Sequence, residues 1–337
     1  MQQKMDHPLS RSACNPVSGQ AFAVGGTMYH LAGKLGDGAT GLVRKAIRQP
    51  DGAEFAVKFL APDPKYIDEA VFDDVAVRFQ REGQRGAQLR HPSLVVVHAY
   101  AANSNREAFF QCGPSNPFIL MEIVKGRTLE DLIRHEHVRA DRSSTKMFSL
   151  SPDRLAIAVD VAEALKYLHL KRLVHRDVKP ANIFLPSASR DRLPSAKLGD
   201  FGIMKWGDFQ ASVSTGTLTM TSQQGLGTLK YMSPEQAIAP KEVTVRSDIY
   251  SLGITLFELF TGQILASPHH VFEILNARLS RGTTASRYIS MGYNLSDGDM
   301  GIAELILDMH LRGPSGRPPI DRIAGRLAYE LERRTTR

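Results

Sequence analysis

Cysteine is nearly absent from the sequence, because Cys14 and Cys112 are the two cysteines among 337 residues. Two cysteines cannot build the disulfide framework of a small secreted domain, and their separation matches no metal-binding spacing. We therefore expect free thiols in a reducing compartment. Hydrophobic residues at 42% and charged residues at 23% are ordinary for a soluble globular protein. Composition and length thus indicate a folded chain with substantial cores and select no function.

Long apolar runs are absent as well. Residues 1–19 contain no apolar stretch of signal-peptide length, and no segment approaches the roughly 20 apolar residues that a membrane-spanning helix needs. We therefore expect no membrane segment in this chain and a cytoplasmic location.

The positive charge is dispersed along the chain. The chain has a formal net charge of +7, which could suggest binding to nucleic acids or anionic membranes. The densest basic group lies near the C-terminus, where acidic residues interrupt it: Arg322, Arg326, Arg333, Arg334 and Arg337. This pattern is typical of a solvated helix end, and no basic face with interleaved aromatic residues is apparent. Nucleic acid is therefore not an expected partner.

The residue pattern divides the chain into a leader and two parts. Residues 1–25 contain Pro, Ser and Gly without periodicity and are predicted to form a flexible leader. From there to residue 121, short runs of β-branched and aromatic residues predict a small, mostly antiparallel sheet with one helix over about 68–89. After residue 126 the apolar residues recur at helical spacing, in 152–170, 247–261 and 320–332. The second part is therefore predicted to be mainly helical.

Polar stretches between these elements predict loops. Residues 103–117 and 139–149 have no core pattern, and neither has the long Ser/Thr-rich stretch 207–227. Loops of the last length are usually functional or disordered.

The first candidate site is a glycine-rich run between two strand-like segments. Gly36, Gly38 and Gly41 have the spacing GxGxxG, and Val43 lies in the segment that follows. Glycines allow the backbone amides of a hairpin to approach phosphates without Cβ clashes. The same spacing in dinucleotide-binding folds opens a helix, whereas a second strand follows here. The context favours a hairpin over phosphates, and a glycine-rich turn without a ligand is the alternative for this run taken alone.

A lysine follows inside an apolar strand. Lys58 lies in Ala56-Val57-Lys58-Phe59, and Glu82 lies on the helix predicted next along the chain. A lysine that faces the interior needs an anionic partner, because an unpaired buried charge is unfavourable. Glu82 is the natural candidate, although either residue alone is also compatible with an ordinary surface charge.

The strongest signal is the run HRDVKPAN over 175–182, followed by DFG over 200–202. Together with the glycine run and Lys58, these motifs stand in an order and spacing that resemble the eukaryotic-type protein kinase family, over roughly 29–332. The resemblance implies a bilobal α+β kinase fold with an N-lobe sheet and regulatory helix over 26–121. It also implies a hinge over 122–126 and a mainly helical C-lobe over 127–333, so that 26–337 form the kinase domain.

The resemblance assigns catalytic roles residue by residue. Asp177 would accept or orient the hydroxyl proton of the substrate, and Lys179 would contact the transferring phosphoryl group. Asn182 and Asp200 would hold magnesium, for which manganese is an alternative, and both carry the oxygen ligands that hard cations prefer. The lysine two residues after Asp177 resembles the serine/threonine branch. The implied reaction transfers the γ-phosphoryl group of ATP to Ser or Thr of protein substrates.

The resemblance also implies an ATP site. Lys58 would hold the α- and β-phosphates, with Glu82 orienting it. The segment 118–126 resembles the gatekeeper and hinge. In it Met121 would gate the back pocket, and the Glu122 carbonyl and Val124 amide would bond the adenine. The faces of the adenine would be covered by three side chains: Val43, Ala56 and Phe184.

The segment 227–237 resembles the part of bacterial members of this family that closes the activation loop and receives the protein substrate. The resemblance implies that Glu235 pairs with Arg317 and that Asp248 braces the catalytic loop. It also implies that Arg176 binds a phosphorylated loop, for which Thr219 and Thr221 are the autophosphorylation candidates.

Two departures from the family pattern concern regulation. Ser233 replaces the usual alanine, a change that is common among bacterial members of the family, and Gly83 and Gly86 flank the turn after Glu82. Glycine weakens a helix, so one hypothesis is a mobile helix fixed by loop phosphorylation or by a homodimer partner. The alternative is that another element packs closely against the glycines.

Two other functional classes share this fold. A pseudokinase scaffold would predict loss of Lys58, Asp177 or Asp200, and none is lost. A small-molecule kinase generally lacks a segment like 227–237, so its presence favours protein substrates.

Overall fold

The computed structural model describes residues 19–38, 41–60, 69–101, 116–140, 148–187, 193–200, 230–238, 243–262, 297–310 and 313–336. These residues form two compact units. Within the described ranges, the first unit takes in 19–90 and 95–123, and the second takes in 91–94 and the residues from 124 onward. Residues 91–94 are a short excursion into the second unit, and the chain next passes from the first unit to the second between Ile123 and Val124.

The described residues of the first unit form an antiparallel sheet and one helix. Its six strands have the spatial order β1-β2-β3-β4-β6-β5. The strands are β1 Ala21–Val24, β2 Thr27–Gly38, β3 Gly41–Arg48, β4 Glu54–Leu60, β5 Val97–Ala101 and β6 Phe118–Glu122. In β4, the alternate residues Phe55, Val57 and Phe59 belong to one hydrophobic core, as the period of a strand requires. The predicted small antiparallel sheet is confirmed.

Strand β1 corrects the predicted leader, which extended to residue 25. Ala21–Val24 pair with β2, and the Phe22 ring stacks on Tyr29 at 5.4 Å between centroids. The turn between the strands is Gly25-Gly26, with φ of 55° and 81°, a conformation that glycine adopts without Cβ strain. Four residues with a single buried aromatic gave too weak an alternation to be recognised as a strand. The described fold therefore starts before residue 26.

The helix of the first unit, α1, spans Glu69–Gly86 and ends three residues before the predicted 89. Its two glycines are buried and face strand β5. A Cβ atom at Gly83 would lie 2.6 Å from Cδ2 of Tyr100, and one at Gly86 would lie 2.9 Å from Cγ2 of Val97. This close approach accounts for both glycines and supports the packing interpretation, while the mobile helix stays a prediction.

The second unit is mainly helical, as predicted. Its helices are α2 Leu129–Ala140, α3 Pro152–Leu170, α4 Pro234–Ile238, α5 Val245–Thr261, α6 Asp297–Met309 and α7 Ile320–Thr335. A three-stranded antiparallel sheet, β7 Gly126–Thr128, β8 Ile183–Pro186 and β9 Lys197–Leu198, accompanies them. No helix in the described parts of the chain combines the length and apolar character needed to cross a membrane.

Local sequence signals explain where the long helices begin and end. Helix α3 starts at Pro152, and the Ser151 side chain accepts a hydrogen bond from the Arg154 amide as its N-cap. Helix α5 starts with a capping box between Thr244 and Ser247 and is capped after Thr261 by Gly262, whose φ of 71° is left-handed. Helix α5 is buried on all sides from Ser247 to Phe260, which makes it the central element of this unit.

Helix α5 also buries a carboxyl group. Glu258 is 7% exposed, and its carboxylate accepts a hydrogen bond from the hydroxyl of the buried Tyr231. Burial raises the pKa of Glu258 from an ordinary 4.5 to about 7, although Tyr231 and Lys230 both favour the charged form. Glu130, a like charge, adds to the increase in this pKa.

The close packing of Gly83 generates a stability prediction. We expect Gly83→Ala to lower the free energy of unfolding by about 1–3 kcal/mol, because the new methyl group displaces the Tyr100 ring. Gly325→Ala is the matched control in helix α7, where no atom lies within 4 Å of the new Cβ. It should raise the free energy of unfolding by up to about 1 kcal/mol through helix propensity alone. Denaturant unfolding measures both, and stabilisation by Gly83→Ala would contradict the packing interpretation.

The raised pKa of Glu258 generates a pH prediction. A carboxyl group that binds its proton more tightly in the folded state favours folding below pH 4.5, and this contribution is lost as pH rises to about 7. Glu258→Gln removes this titration but can still accept a bond from Tyr231. We therefore expect the melting temperature of this variant, relative to wild type, to increase across that pH window. Exposed Glu332→Gln is the control, and a difference that is independent of pH would refute the assignment.

Candidate active site

The glycine run lies in the hairpin of β2 and β3, as its context predicted. Gly36 pairs with Val43, and Gly38 pairs with Gly41, while residues 39–40 lie outside the described residues. Gly41 is required by close packing, because a Cβ atom there would lie 2.5 Å from the carbonyl oxygen of Phe59. At Gly36 no atom lies within 4 Å of such a Cβ. The hairpin backbone is thus open at Gly36 and tightly packed at Gly41.

The strand register gathers the predicted nucleotide-binding side chains on one face of the sheet. Val43 lies directly opposite Lys58, and Ala56 lies directly opposite Met121. Directly opposed residues share a face, and residues two apart in a strand do as well. Val43, Ala56, Lys58 and Met121 therefore project from the face opposite the aromatic core.

Lys58 and Glu82 form the predicted ion pair. Lys58 Nζ lies 2.9 Å from Glu82 Oε1, and the side chains are 12% and 4% exposed. A pair this well buried is stable only while both partners are present, because the loss of one leaves an uncompensated charge. The pair links strand β4 to helix α1 and fixes the direction of the lysine side chain.

The end of strand β6 is fixed by a side chain that the sequence did not reveal. Glu122 donates its amide to the Val96 carbonyl at 2.9 Å, and its Oε1 accepts from the Val96 amide at 2.8 Å. The sequence assigned a role to the Glu122 carbonyl alone. The side chain thus holds the backbone that carries this carbonyl, and Val124 follows at the start of the second unit.

The residues of the predicted catalytic loop, 175–182, converge on Asp177. Lys179 Nζ lies 3.2 Å from Asp177 Oδ2, and both side chains are at least nine-tenths buried. The Asn182 amide donates to the same Oδ2 at 2.6 Å and to the Asp177 carbonyl at 2.8 Å. Because the amide nitrogen is the donor in both bonds, the amide oxygen is the atom of Asn182 that can ligate a cation.

The backbone of this loop is held by helix α5. Asp248 is fully buried and accepts hydrogen bonds from the amides of His175 and Arg176, each at 2.8 Å, as the resemblance implied. Its Oδ2 also bonds Nε2 of His169 on helix α3 at 2.9 Å. Burial lowers the pKa of His175, although neighbouring carboxylates oppose this.

Asp200 follows strand β9 in the sequence. The amide of Gly199 donates to the Asn182 carbonyl at 2.9 Å, which brings the two predicted cation ligands near each other. Asp200 has a φ of 56°, in the left-handed region. Phe184 is half-buried on β8, the strand that pairs with β9. Phe201 and Gly202 lie outside the described residues.

The predicted pair of Glu235 and Arg317 is confirmed. Arg317 donates to both carboxylate oxygens, at 2.5 and 2.8 Å, and Ser247 donates to Oε1 at 2.7 Å. Burial would raise the pKa of Glu235, but these bonds outweigh it and the pKa is lowered. The pair anchors the start of helix α4 to the turn that precedes helix α7.

Several predicted features lie outside the described residues. These are Cys14, Cys112, the loop 207–227, and the candidate phosphorylation sites Thr219 and Thr221. Within the described part of the chain, no group of three or more His, Cys, Asp or Glu side chains is arranged to hold a metal ion by itself.

Comparisons with known proteins agree with this geometry. A family model described as Protein kinase domain matches residues 29–324. The chain is 33% identical to serine/threonine-protein kinase PknB of Mycobacterium leprae over 239 residues, which are 70% of this chain and 32% of that protein. It is 33% identical over 308 residues to a probable serine/threonine-protein kinase of Corynebacterium efficiens, covering 90% of this chain and 41% of that protein.

These curated relatives are much longer than the matched region. The chain spans between about a third and two fifths of their length. Among solved structures, the kinase domain of Mycobacterium tuberculosis PknI matches with a TM-score of 0.60 and 24% identity, covering 94% of this chain and 99% of that domain. That likeness concerns the fold. The family match, the bacterial relatives and the convergence of side chains on Asp177 together show that the chain belongs to the protein kinase family, in its bacterial serine/threonine branch.

Proposed function

We propose that this domain transfers the γ-phosphoryl group of ATP to serine or threonine hydroxyls of protein substrates. The observation that carries the proposal is the arrangement of Lys179 and Asn182 around the carboxylate of Asp177. Kinases of this family use ATP and divalent metal ions, and the relatives named above are serine/threonine-protein kinases.

ATP binding is assigned to the first unit and the hinge. Lys58, oriented by Glu82, contacts the α- and β-phosphates, and the glycine hairpin of Gly36, Gly38 and Gly41 covers them through its amides. Adenine bonds the Glu122 carbonyl and the Val124 amide, between side chains that include Val43, Ala56 and Phe184. We place the hinge at 122–126, and the change of unit after Ile123 supports this position.

Asn182 and Asp200 fit a magnesium ion. They offer an amide oxygen and a carboxylate, the hard oxygen donors that Mg²⁺ and, as an alternative, Mn²⁺ prefer. When bound, the metal ions neutralise the charge of the β- and γ-phosphates. The hydrogen bonds that Asn182 donates to Asp177 keep its oxygen oriented for this role.

Asp177 and Lys179 act on the reacting atoms. Asp177 accepts the proton of the substrate hydroxyl as the hydroxyl oxygen bonds to the γ-phosphorus. The bond from that phosphorus to the bridging oxygen breaks, and ADP leaves with the electron pair. Lys179 contacts the transferring phosphoryl group and stabilises its negative charge, while its ion pair with Asp177 holds both groups in place.

Protein substrates are supported by the segment around helix α4. Its Glu235–Arg317 pair and the Tyr231–Glu258 bond anchor a substrate-side surface that small-molecule kinases generally lack. A homodimer partner is not needed to explain Gly83 and Gly86, because strand β5 packs against both.

Asp177→Asn tests the proposed chemistry. We expect phosphate transfer from Mg-ATP to myelin basic protein to fall by at least about 100-fold, because the amide cannot accept the hydroxyl proton. ATP affinity should change by no more than about threefold, since Asp177 acts in the transition state. Lys58→Met should be nearly inactive as well. Exposed Asp153→Asn is the matched control with wild-type activity, and equal phosphorylation by wild type and Asp177→Asn would contradict the proposal.

Phosphorylation of the segment that contains Thr219 and Thr221 is a second expectation. Purified wild type incubated with Mg-ATP should acquire phosphate at one or both residues, because Arg176 can pair with a loop phosphate. Asp177→Asn should remain unmodified. Mass spectrometry measures the modification, and the double alanine variant should have reduced activity toward protein substrates. An unmodified wild-type loop, with full activity in the double alanine variant, would show that loop phosphorylation plays no role.

A further inference from the structure

Ser233 is fully buried and directly precedes helix α4. Its backbone amide donates to Gln236 Oε1 at 3.1 Å, and its hydroxyl donates to the same oxygen at 3.0 Å. The backbone amide of Gln236 in turn donates to the hydroxyl oxygen of Ser233 at 3.4 Å. Gln236 is itself 2% exposed, so the serine fixes the orientation of a buried glutamine side chain.

The other end of that side chain reaches the catalytic loop. Gln236 Nε2 donates to the carbonyl oxygen of Arg176 at 2.9 Å. This bond joins residues 60 positions apart in the sequence. Residues 230–238, which include helix α4 and which we call the substrate-side segment, are thereby connected to Arg176, the residue that directly precedes Asp177.

Arg176 has a conformation that needs such support. Its φ of 69° is in the left-handed region, which is unfavourable for a residue with a side chain. Such residues persist where the surrounding structure holds them. Here Asp248 accepts from the Arg176 amide at 2.8 Å, and Gln236 donates to the Arg176 carbonyl. Buried side chains from helices α5 and α4 therefore hold the residue on both of its peptide groups.

The second of these peptide groups includes Asp177. The carbonyl of Arg176 and the amide of Asp177 belong to one planar unit, so a bond to the carbonyl orients the amide and the Cα of the next residue. The Asp177 amide, which belongs to this plane, donates to Nδ1 of His175 at 3.4 Å. Rotation of the plane would displace the carboxylate that Lys179 and Asn182 contact.

We propose that Gln236, oriented by Ser233, is a positioning residue that sets the peptide plane between Arg176 and Asp177 and so couples the substrate-side segment to phosphoryl transfer. The proposal rests on the proposed function, because it concerns the same carboxylate. Gln236 itself touches no reacting atom. A purely structural role, in which Gln236 does no more than cap helix α4, is the competing explanation.

Two substitutions separate these roles. Gln236→Met keeps the length of the side chain and removes both hydrogen-bonding ends. Gln236→Glu keeps an acceptor for Ser233 but places an oxygen against the Arg176 carbonyl. If capping is the whole role, the Glu variant should behave like wild type. If the peptide plane is the target, both variants should lose about tenfold in kcat, with the KM for ATP changed by less than about twofold.

The pH dependence of Gln236→Glu adds a signature that a cap would not produce. Burial beside a carbonyl oxygen favours the protonated carboxyl, which can donate to Arg176 as the glutamine does. The activity of this variant relative to wild type should therefore increase as pH is lowered, whereas the ratio for Gln236→Met should stay constant. Ser233→Ala should show a smaller loss, since Gln236 keeps its donor but loses its anchor.

Stability and exchange measurements complete the test. Ser151→Ala removes the N-cap of helix α3 and is the control for a stability loss that leaves kcat unchanged. Hydrogen exchange of the amides in 175–178 should be faster in Gln236→Met than in wild type, a readout that does not depend on turnover. Wild-type kcat in both Gln236 variants, or unchanged exchange in this segment, would overturn the inference. An inactive wild type would instead refute the proposed function, and exchange would still decide the role of Gln236.

Discussion

The carboxylate of Asp248, buried in helix α5, is the constraint on which the rest of the site depends. It accepts hydrogen bonds from the amides of His175 and Arg176, and it also bonds His169 on helix α3. A buried carboxylate is tolerated only when hydrogen bonds replace its hydration, and the loop backbone supplies them. The loop and the helix therefore stabilise each other, and the geometry around Asp177 is a consequence of how α5 is buried.

The same physical rule recurs through both units. Lys58 and Glu82 in the first unit, and Glu235 and Arg317 in the second, are buried charges with direct partners. Glu258 differs, because its partner Tyr231 is neutral: burial raises the pKa of Glu258, and the hydrogen bond from Tyr231 offsets that increase only in part. Paired charges thus fix the elements that carry the candidate site, while the less well-compensated carboxyl keeps a titration near neutral pH.

Much of the candidate site could be predicted from the sequence because its motifs are contiguous. The run 175–182 places Asp177, Lys179 and Asn182 within one short loop, where the chain itself keeps them close. Strand β1 was missed because four residues with one buried aromatic carry little periodic signal. The role of Gly83 and Gly86 was left open, because the sequence does not distinguish a glycine that weakens a helix from one that allows a neighbouring strand to pack closely.

The side chain of Glu122 was overlooked for a related reason. Its family role concerns the backbone carbonyl, and nothing in the run 118–126 indicates that the carboxylate accepts the amide of Val96. Ser233 was recognised as a departure without a consequence. The consequence became visible only when Gln236 was placed against Arg176.

The sequence by itself determined the chemistry of this protein: which groups can accept a proton, ligate a hard cation or contact phosphate, and where the helices are capped. The tertiary structure alone decided which distant groups meet, as Lys58 meets Glu82 across 24 positions and Asp248 meets His175 across 73. The physical reason is that capping and loop geometry depend on neighbours in the chain, whereas the partner of a buried polar group depends on which surfaces pack together.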